Sequence, residues 1–484
     1  MIHARIEVTE EGWREAIDRL ADGSTTLLGL WADGGDVLMA TSQDDSDISV
    51  ISYTCRDGRF PSVGAKHPPA IRLERAIGSL FGLKADGAID SRPWLDLGFW
   101  EVAQPLGART PATPAVPYQF LPVEGEGLHE IAVGPVHAGI IEPGHFRFTA
   151  NGEHVVRLEQ RLGYVHKGIE GLMQGASLAQ AAKLAGRTSG DSTVAYAYAF
   201  ALATEQALQT EAPPRAAYLR ALMAELERLA NHLGDIGAIC NDAAFALMLA
   251  HMGVLRERTL RAADACFGHR LMRDVIVPGG VARDIAPDGI TALRSLLATI
   301  RDVFPRLVAL YDNTASLQDR TVTTGIVKPD YARQFGAGGY VGRASGRAYD
   351  ARRALRYAPY DVLNFDVPVR EDGDVNARVW IRILEVEQSL KLIEQIIDRL
   401  PDGPLATTVE PKGACEGLAM TEAFRGDVLV WLRLDDAGRV ARCHVRDASW
   451  FQWPLLETAI EGNIVADFPL CNKSFNCSYS GHDL

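Results

Sequence analysis

The stretch "KLAGRTSGDSTVAYA", from Lys183 to Ala197, joins two kinds of chain in a few residues. A basic helical turn ends at Gly186 and a Ser/Gly/Asp turn follows. The chain then runs directly into small apolar residues. Gly, Ser and Asp favour turns because they tolerate unusual backbone angles or bond to nearby backbone groups. The Ala-rich "STVAYAYAFALATEQAL" that follows has small residues all round, which predicts a helix packed closely by neighbours. Three hard oxygen donors, Ser189, Asp191 and Ser192, stand at the junction.

Downstream of this turn, helices dominate. "AAYLRALMAELERLANHLGDIGAI" places Leu222, Leu226, Leu229 and Leu233 on one stripe, and "ARVWIRILEVEQSLKLIEQIIDRL" predicts a second long amphipathic helix. "GDVLVWLRLDDAGRVARCHVRD" predicts a β-hairpin. Upstream, "HEIAVGPVHAGIIEPGHFRFTANGEHVVRLEQRLGYVHKG" predicts extended segments punctuated by Gly and Pro. Further upstream, "EGWREAIDRLADG" and "PPAIRLERAIGSLFGL" predict helices that flank strands at "TTLLGLWA", "DVLMATSQ" and "DISVISYTC". The Pro-rich "PLGARTPATPAVPYQFLPVEGEG" lies between the two parts. The expected class is α+β, with a small N-terminal α/β domain, residues 1–105, and a linker, residues 106–124. A large, mainly α-helical domain with a peripheral β-sheet follows, residues 125–484.

The chain has 484 residues, 47% of them hydrophobic and 23% charged, with a formal net charge of -13. This balance fits an ordered globular protein and argues against nucleic acid as a partner. No apolar run approaches the roughly 20 residues that span a bilayer. The opening "MIHARIEVTEEGW" lacks the basic end and apolar core of a signal peptide, so a cytoplasmic location is expected. The seven cysteines are scattered with no CxxC, which predicts reduced, mostly buried thiols.

Several polar groups could carry chemistry, each with a structural alternative. "GPVHAGIIEPGHF" gathers His137, Glu142 and His145 in one loop, where a carboxylate between imidazoles could move protons or simply sit on a surface hairpin. "GYVHKGIEGL" places His166 and Lys167 before a helix, and helix-end electrostatics account for Glu170. Glu225, Arg228 and His232 share one helix face, and a buried ion-pair network is the expected reading. The arginines of "DVNARVWIR" and "GRASGRAYDARR" could bind an anion, with pairing to acidic helices as the expected role.

The order of these segments carries a resemblance. "GPVHAGIIEPGHFRF", "RLGYVHKGIEGL", "GRTSGDST", "ELERLANHLGDIGAICND", "VPGGV", "NFDVPVREDGDVNARVWIRILEVEQS", "EPKG" and "IVADFPL" follow one another. The set resembles the large subunit of group 4 nickel–iron hydrogenases and the 49-kDa-type subunit of complex I. The first part, with "HPPAIRLERAIGSLFGL", is similar to the 30-kDa-type subunit of complex I. The resemblance implies a peripheral subunit on the cytoplasmic face of the cell membrane. It implies an iron–sulfur partner of the 20-kDa type and antiporter-like and heterodimer-type membrane subunits.

In the hydrogenases the opening turn reads Arg-x-Cys-Gly-x-Cys, and its thiolates bind the metals. Here the same turn carries Arg187, Ser189 and Ser192. The second ligand pair falls on Ser478 and Gly481 of "NCSYSGHDL", with Cys477 one place early. Soft thiolates hold low-valent nickel and iron, and serine hydroxyls do not replace them. The expectation is therefore a chain with no metal of its own, with electrons passing from a partner's iron–sulfur clusters to a quinone or another acceptor in the old cavity. The resemblance implies Glu142 as a proton carrier and His145 as the quinone-facing histidine. It implies His166 and Asp191 as further catalytic groups, and Arg187, Ser189, Ser192, Ser478 and Lys412 as cavity residues. Burial is expected to raise the pKa of Asp191 and make it a proton relay. Gly190 stands where the complex I subunit carries its tyrosine, and Tyr196, further along, is not taken as its equivalent. A purely structural adaptor is the alternative reading.

Overall fold

The computed structural model describes residues 5–43, 45–112, 117–138 and 141–484. The N-terminal part is a four-stranded sheet beside two helices. Thr26–Asp33, Asp36–Ser42 and Ile48–Thr54 form an antiparallel meander, and Ile6–Glu7 adds a short parallel edge. The helix Glu10–Ala21 starts where the Thr9 hydroxyl accepts from the Gly12 N–H at 3.3 Å, and it buries Trp13, Ile17 and Leu20. The second helix, Ile71–Phe81, ends at Gly82 with φ 78°, the left-handed cap that glycine adopts without strain. The three strands expected between Gly and Asp turns are all present.

The N-terminal sheet is covered on its second face. Leu28, Trp31, Leu38, Ala40, Ile48 and Val50 form one core cluster with Leu418, Met420, Leu429 and Trp431. Trp31 and Trp431 meet at 5.6 Å between ring centroids. Residues expected as a free linker are also tied down. Arg75 donates to the Tyr118 hydroxyl at 2.8 Å, Arg92 to the Gln119 carbonyl at 2.7 Å, and the Leu121 N–H to Glu159 at 2.8 Å.

The larger part holds a helical bundle and two three-stranded sheets. Leu128–Val133, His145–Asn151 and His154–Arg161 form one antiparallel sheet. The expected hairpin, Gly426–Leu434 with Val440–Arg446, gains a third strand, Cys415–Ala423. The helix Thr193–Leu208 lies against this sheet and is buried nearly all round. The approach is close enough that a Cβ on Gly417 would stand 2.1 Å from the Ala203 carbonyl oxygen, so only glycine fits there. Pro214–Asp242, Ala246–Phe267, Gly289–Asp312 and Val375–Arg399 complete the bundle. Three short helices, Ser449–Ala459, Phe468–Phe475 and Tyr479–Asp483, fold the C-terminal segment into the core. Among the described residues no helix is long and apolar enough to cross a membrane.

The ion-pair reading of Glu225, Arg228 and His232 holds. All three are buried, and they join Arg343, Arg352 and Glu385 from neighbouring elements.

Candidate functional site

The turn Ser189–Asp191 meets the C-terminal segment in the middle of the molecule. The Ser189 and Ser478 hydroxyls lie 3.0 Å apart, although 289 positions separate them in the chain. Ser189, Ser192 and Ser478 are each 3% exposed or less. Ser478 also caps the last short helix, accepting from the Gly481 N–H at 2.8 Å, and its own N–H donates to the Ser449 hydroxyl at 2.8 Å. All four positions expected to correspond to metal ligands therefore converge on one slot.

Other side chains fill that slot. Arg425 enters from the turn between the strands Cys415–Ala423 and Gly426–Leu434. Its guanidinium forks onto Asp191, at 2.8 Å and 2.6 Å to the two carboxylate oxygens, and donates at 3.4 Å to the Ser192 hydroxyl. The Ser189 hydroxyl donates to the same carboxylate at 2.8 Å. On the other side the Tyr196 hydroxyl donates to Asp447. A Cβ on Gly481 would stand 2.7 Å from both the Tyr196 hydroxyl oxygen and an Asp447 oxygen. The phenol and the carboxylate thus occupy the space a side chain at position 481 would need.

These donors do not fit a thiolate-held nickel–iron centre. Hydroxyls replace three thiolates, a missing side chain replaces the fourth, and an ion pair fills the gap. The neighbouring Cys477 is buried, and burial pushes its thiol well above the ordinary value in the metal-free chain. Gly481→Ala should destabilise the fold by about 1–3 kcal/mol through overpacking. Adding Tyr196→Phe, which removes the clashing hydroxyl, should recover part of that loss in a urea midpoint. No recovery would mean that position 481 clashes with something other than the phenol.

The electrostatics of Asp191 differ from expectation. Burial alone would raise its pKa, but the charge and fork of Arg425 outweigh it and hold the carboxyl below the ordinary range. Asp191 is a fixed anion and not a relay poised near neutrality. Its side chain keeps 37% of its surface, and that surface opens on a cavity of about 240 Å³. Gly190, Glu227, Asn231, Arg256 and Arg273 line the cavity with Leu260 and Met272. Asn231 secures the turn, its side-chain amide donating to the Asp191 carbonyl at 2.7 Å.

The remaining expected residues divide. Glu142, which is exposed, accepts from the Ser480 N–H at 3.1 Å, and the His166 ring bonds the Asp483 carbonyl at 2.7 Å while stacked on Trp100. Lys167 donates to the Thr188 carbonyl at 2.6 Å. These groups tie the C-terminal segment and the serine turn to the elements beside them. His145 is half-buried at the head of its strand, beside Phe120 and Arg147, without contact to the serines. Burial and Arg147 both lower its pKa.

Arg187 turns outward to a paired contact with Asp274 at 2.8 Å and 2.9 Å. Lys412 is exposed beside the Gln209 carbonyl at 3.5 Å. Gln209 caps the far end of the 16-residue helix that begins after Ser192, so Lys412 stands roughly 24 Å from the slot. Glu170, expected as a helix-end charge, is a buried partner of Arg442 and His444, each at 2.8 Å.

Two residues of the slot, Arg425 and Asp447, escape a reading of the sequence, and Tyr196 enters it only as a tyrosine set aside. A signal for Arg425 exists: "EAFRG", Glu422 to Gly426, repeats the acid–basic–Gly pattern of "EPKG", and the second copy enters the slot.

Comparison with known proteins agrees with this architecture. The family described as respiratory-chain NADH dehydrogenase, 49 Kd subunit, matches residues 242–415 and 407–483. Formate hydrogenlyase subunit 5 of Escherichia coli (strain K12) is 32% identical over 438 residues, covering 88% of this chain and 77% of that protein. An NADH-quinone oxidoreductase subunit of Roseiflexus sp. (strain RS-1) is 33% identical over 352 residues, covering 70% of this chain and 94% of that protein. A chain of the membrane-bound sulfane sulfur reductase, an archaeal respiratory membrane complex, superposes with a TM-score of 0.70 at 26% identity, covering 75% of this chain and 100% of that one.

Proposed function

The chain belongs to the family of the complex I 49-kDa subunit and the related hydrogenase large subunits, and from that premise we propose that it is the large subunit of a membrane-associated, complex I-like oxidoreductase that works without a nickel–iron centre. The observation that carries this reading is the filled slot: Ser189, Ser192, Ser478 and Gly481 converge, and Arg425, Asp191, Tyr196 and Asp447 take up the space between them.

In this reading an iron–sulfur partner of the 20-kDa type delivers electrons beside the Ser189–Asp191 turn. The acceptor, a quinone or another small oxidant, occupies the cavity of about 240 Å³ next to Gly190 and Asp191. Antiporter-like and heterodimer-type membrane subunits couple the transfer to ion movement, and the chain docks peripherally on the cytoplasmic face of the membrane. A structural relative from an archaeal respiratory membrane complex supports membrane partners in general terms. The filled slot also favours a second reading, in which the chain is an adaptor that passes conformational change to the membrane subunits without a redox step.

Elemental analysis of the natively purified complex separates these readings. Iron without nickel, together with reduction of soluble quinone analogues, is the expected result. Nickel at one per chain would sink it. Neither metal, with no reduction of any acceptor, would leave the adaptor.

A further inference from the structure

The buried charges behind the slot do not sum to zero. Four carboxylates, Glu225, Asp350, Glu385 and Glu422, are each 2% exposed or less. The guanidiniums among them are Arg228, Arg343 and Arg352, equally buried, and the one imidazole is His232. Arg343 donates to Glu385 at 2.8 Å and to Glu422 at 2.9 Å, Arg352 to Asp350 at 2.6 Å and to Glu225 at 2.8 Å. Arg228 lies 3.4 Å from Glu225 and 3.7 Å from Glu385. The adjoining Arg382 is balanced by Asp235 at 3.1 Å. With His232 neutral, the cluster holds four negative charges against three positive ones. An uncompensated charge buried this deeply is strongly disfavoured, and a bound proton removes it.

We propose that this cluster is a proton-binding site, holding one exchangeable proton on Glu422. The other three carboxylates are better compensated, Glu225 and Asp350 by three or more accepted hydrogen bonds each and Glu385 by Arg343, His232 and Arg228 at 2.5 Å, 2.7 Å and 3.7 Å. Glu225 accepts from Arg352, Tyr360 and Ser389, Asp350 from Arg352 three times, and Glu385 from Arg343 and His232. Glu422 accepts only from Arg343 and from the Ala351 N–H at 2.9 Å. His232 faces Glu385 through Nε2 at 2.7 Å, while its Nδ1 is buried without a partner. Protonating His232 would leave that N–H unpaired, so Glu422 is the holder.

The groups facing Glu422 are Arg228 from Pro214–Asp242, Arg343 from Gly339–Ala344, and Asp350, Arg352 and Tyr357 around Ala351–Ala354. Those facing His232 are Glu385, Arg228 and Arg382. Burial first, then the charge of Asp350, raises the Glu422 carboxyl, and burial lowers His232 against the pull of Glu385. Glu422 also stands three residues before Arg425, and Arg228 grips this turn by donating to the Glu422 and Ala423 carbonyls at 2.7 Å and 3.0 Å. A change of charge in the slot is therefore felt at the proton. This site does not depend on the identity of the acceptor.

Infrared titration of the full chain in its purified complex tests the proposal. The wild type should show the carbonyl band of a protonated carboxylic acid at mildly acidic pH and lose it as the pH rises. In a Glu227→Gln background, which removes the other strongly raised buried carboxyl, the band should persist, and adding Glu422→Gln should diminish it. The proposal is overturned if the wild type has no such band, or if Glu422→Gln leaves the band undiminished in that background. Should Glu422→Gln fail to accumulate, Glu422→Asp must move the titration midpoint of the band, and an unmoved midpoint overturns the proposal equally.

Discussion

Arg343→Met should leave little or no folded protein. The Arg343 side chain is fully buried and is shared among Glu385, Glu422 and Asp350, at 2.5 Å, 2.9 Å and 3.5 Å, with a further bond to the Tyr349 carbonyl. Methionine fills a similar volume, so packing changes little. The electrostatics change completely, because carboxylates from three different elements lose their common counter-ion. Breaking a buried pair by removing one partner costs about 3–5 kcal/mol. More than one pair is broken here, and the whole fold is stable by about 5–15 kcal/mol. The measurement is soluble yield followed by a urea midpoint. Arg343→Met combined with Glu385→Gln and Glu422→Gln should recover much of the loss, because the charges then vanish together. A single variant with the wild-type midpoint would show that the cluster does not hold these elements in place.

Arg425→Ala should lower turnover of the assembled complex by about 100-fold with only a modest loss of stability. The side chain is the plug of the slot: it pairs with Asp191, bonds the Asn476 carbonyl and touches Ser192. Asp191 is more than a third exposed, so solvent screens the carboxylate left behind, and the destabilisation should be about 2 kcal/mol, at the low end for a broken pair. Activity is more sensitive, since displacing a site by about 1 Å can cost on the order of 100-fold. Arg425→Lys keeps the charge but not the two-pronged geometry, and should lie between. The pH behaviour follows from the sign of the Asp191 shift. Its folded pKa is depressed by Arg425, so the pair stabilises above the ordinary aspartate value and is lost as the pH falls through the folded one. Unchanged turnover in Arg425→Ala would remove the slot from the mechanism and leave the adaptor reading.

Some of this was legible in the residues alone. The stripe of Leu222, Leu226, Leu229 and Leu233 and the small residues after Thr193 specify buried helices because helical periodicity is a local property. The same holds for the apolar runs between turns that form the strands of the N-terminal sheet. Glu225, Arg228 and His232 announce an ion-pair network, because that spacing puts them on one helix face. The replacement of thiolate donors by Ser189, Ser192 and Ser478 is likewise a statement about residue types.

What only the tertiary structure decided are the meetings between distant segments. Both "EPKG" and "EAFRG" offer a cation before a glycine, and nothing local says that Arg425 reaches Asp191 while Lys412 stays at the far end of a helix. Tyr196 occupies the space of an absent side chain at Gly481 because the helix after Ser192 passes beneath the C-terminal segment, a crossing that neither segment encodes. Asp191 is a fixed anion because its partner lies 234 positions away. Periodicity and residue chemistry act over one turn of chain, whereas a counter-ion, a filled slot or a buried proton depends on which surfaces the fold presses together.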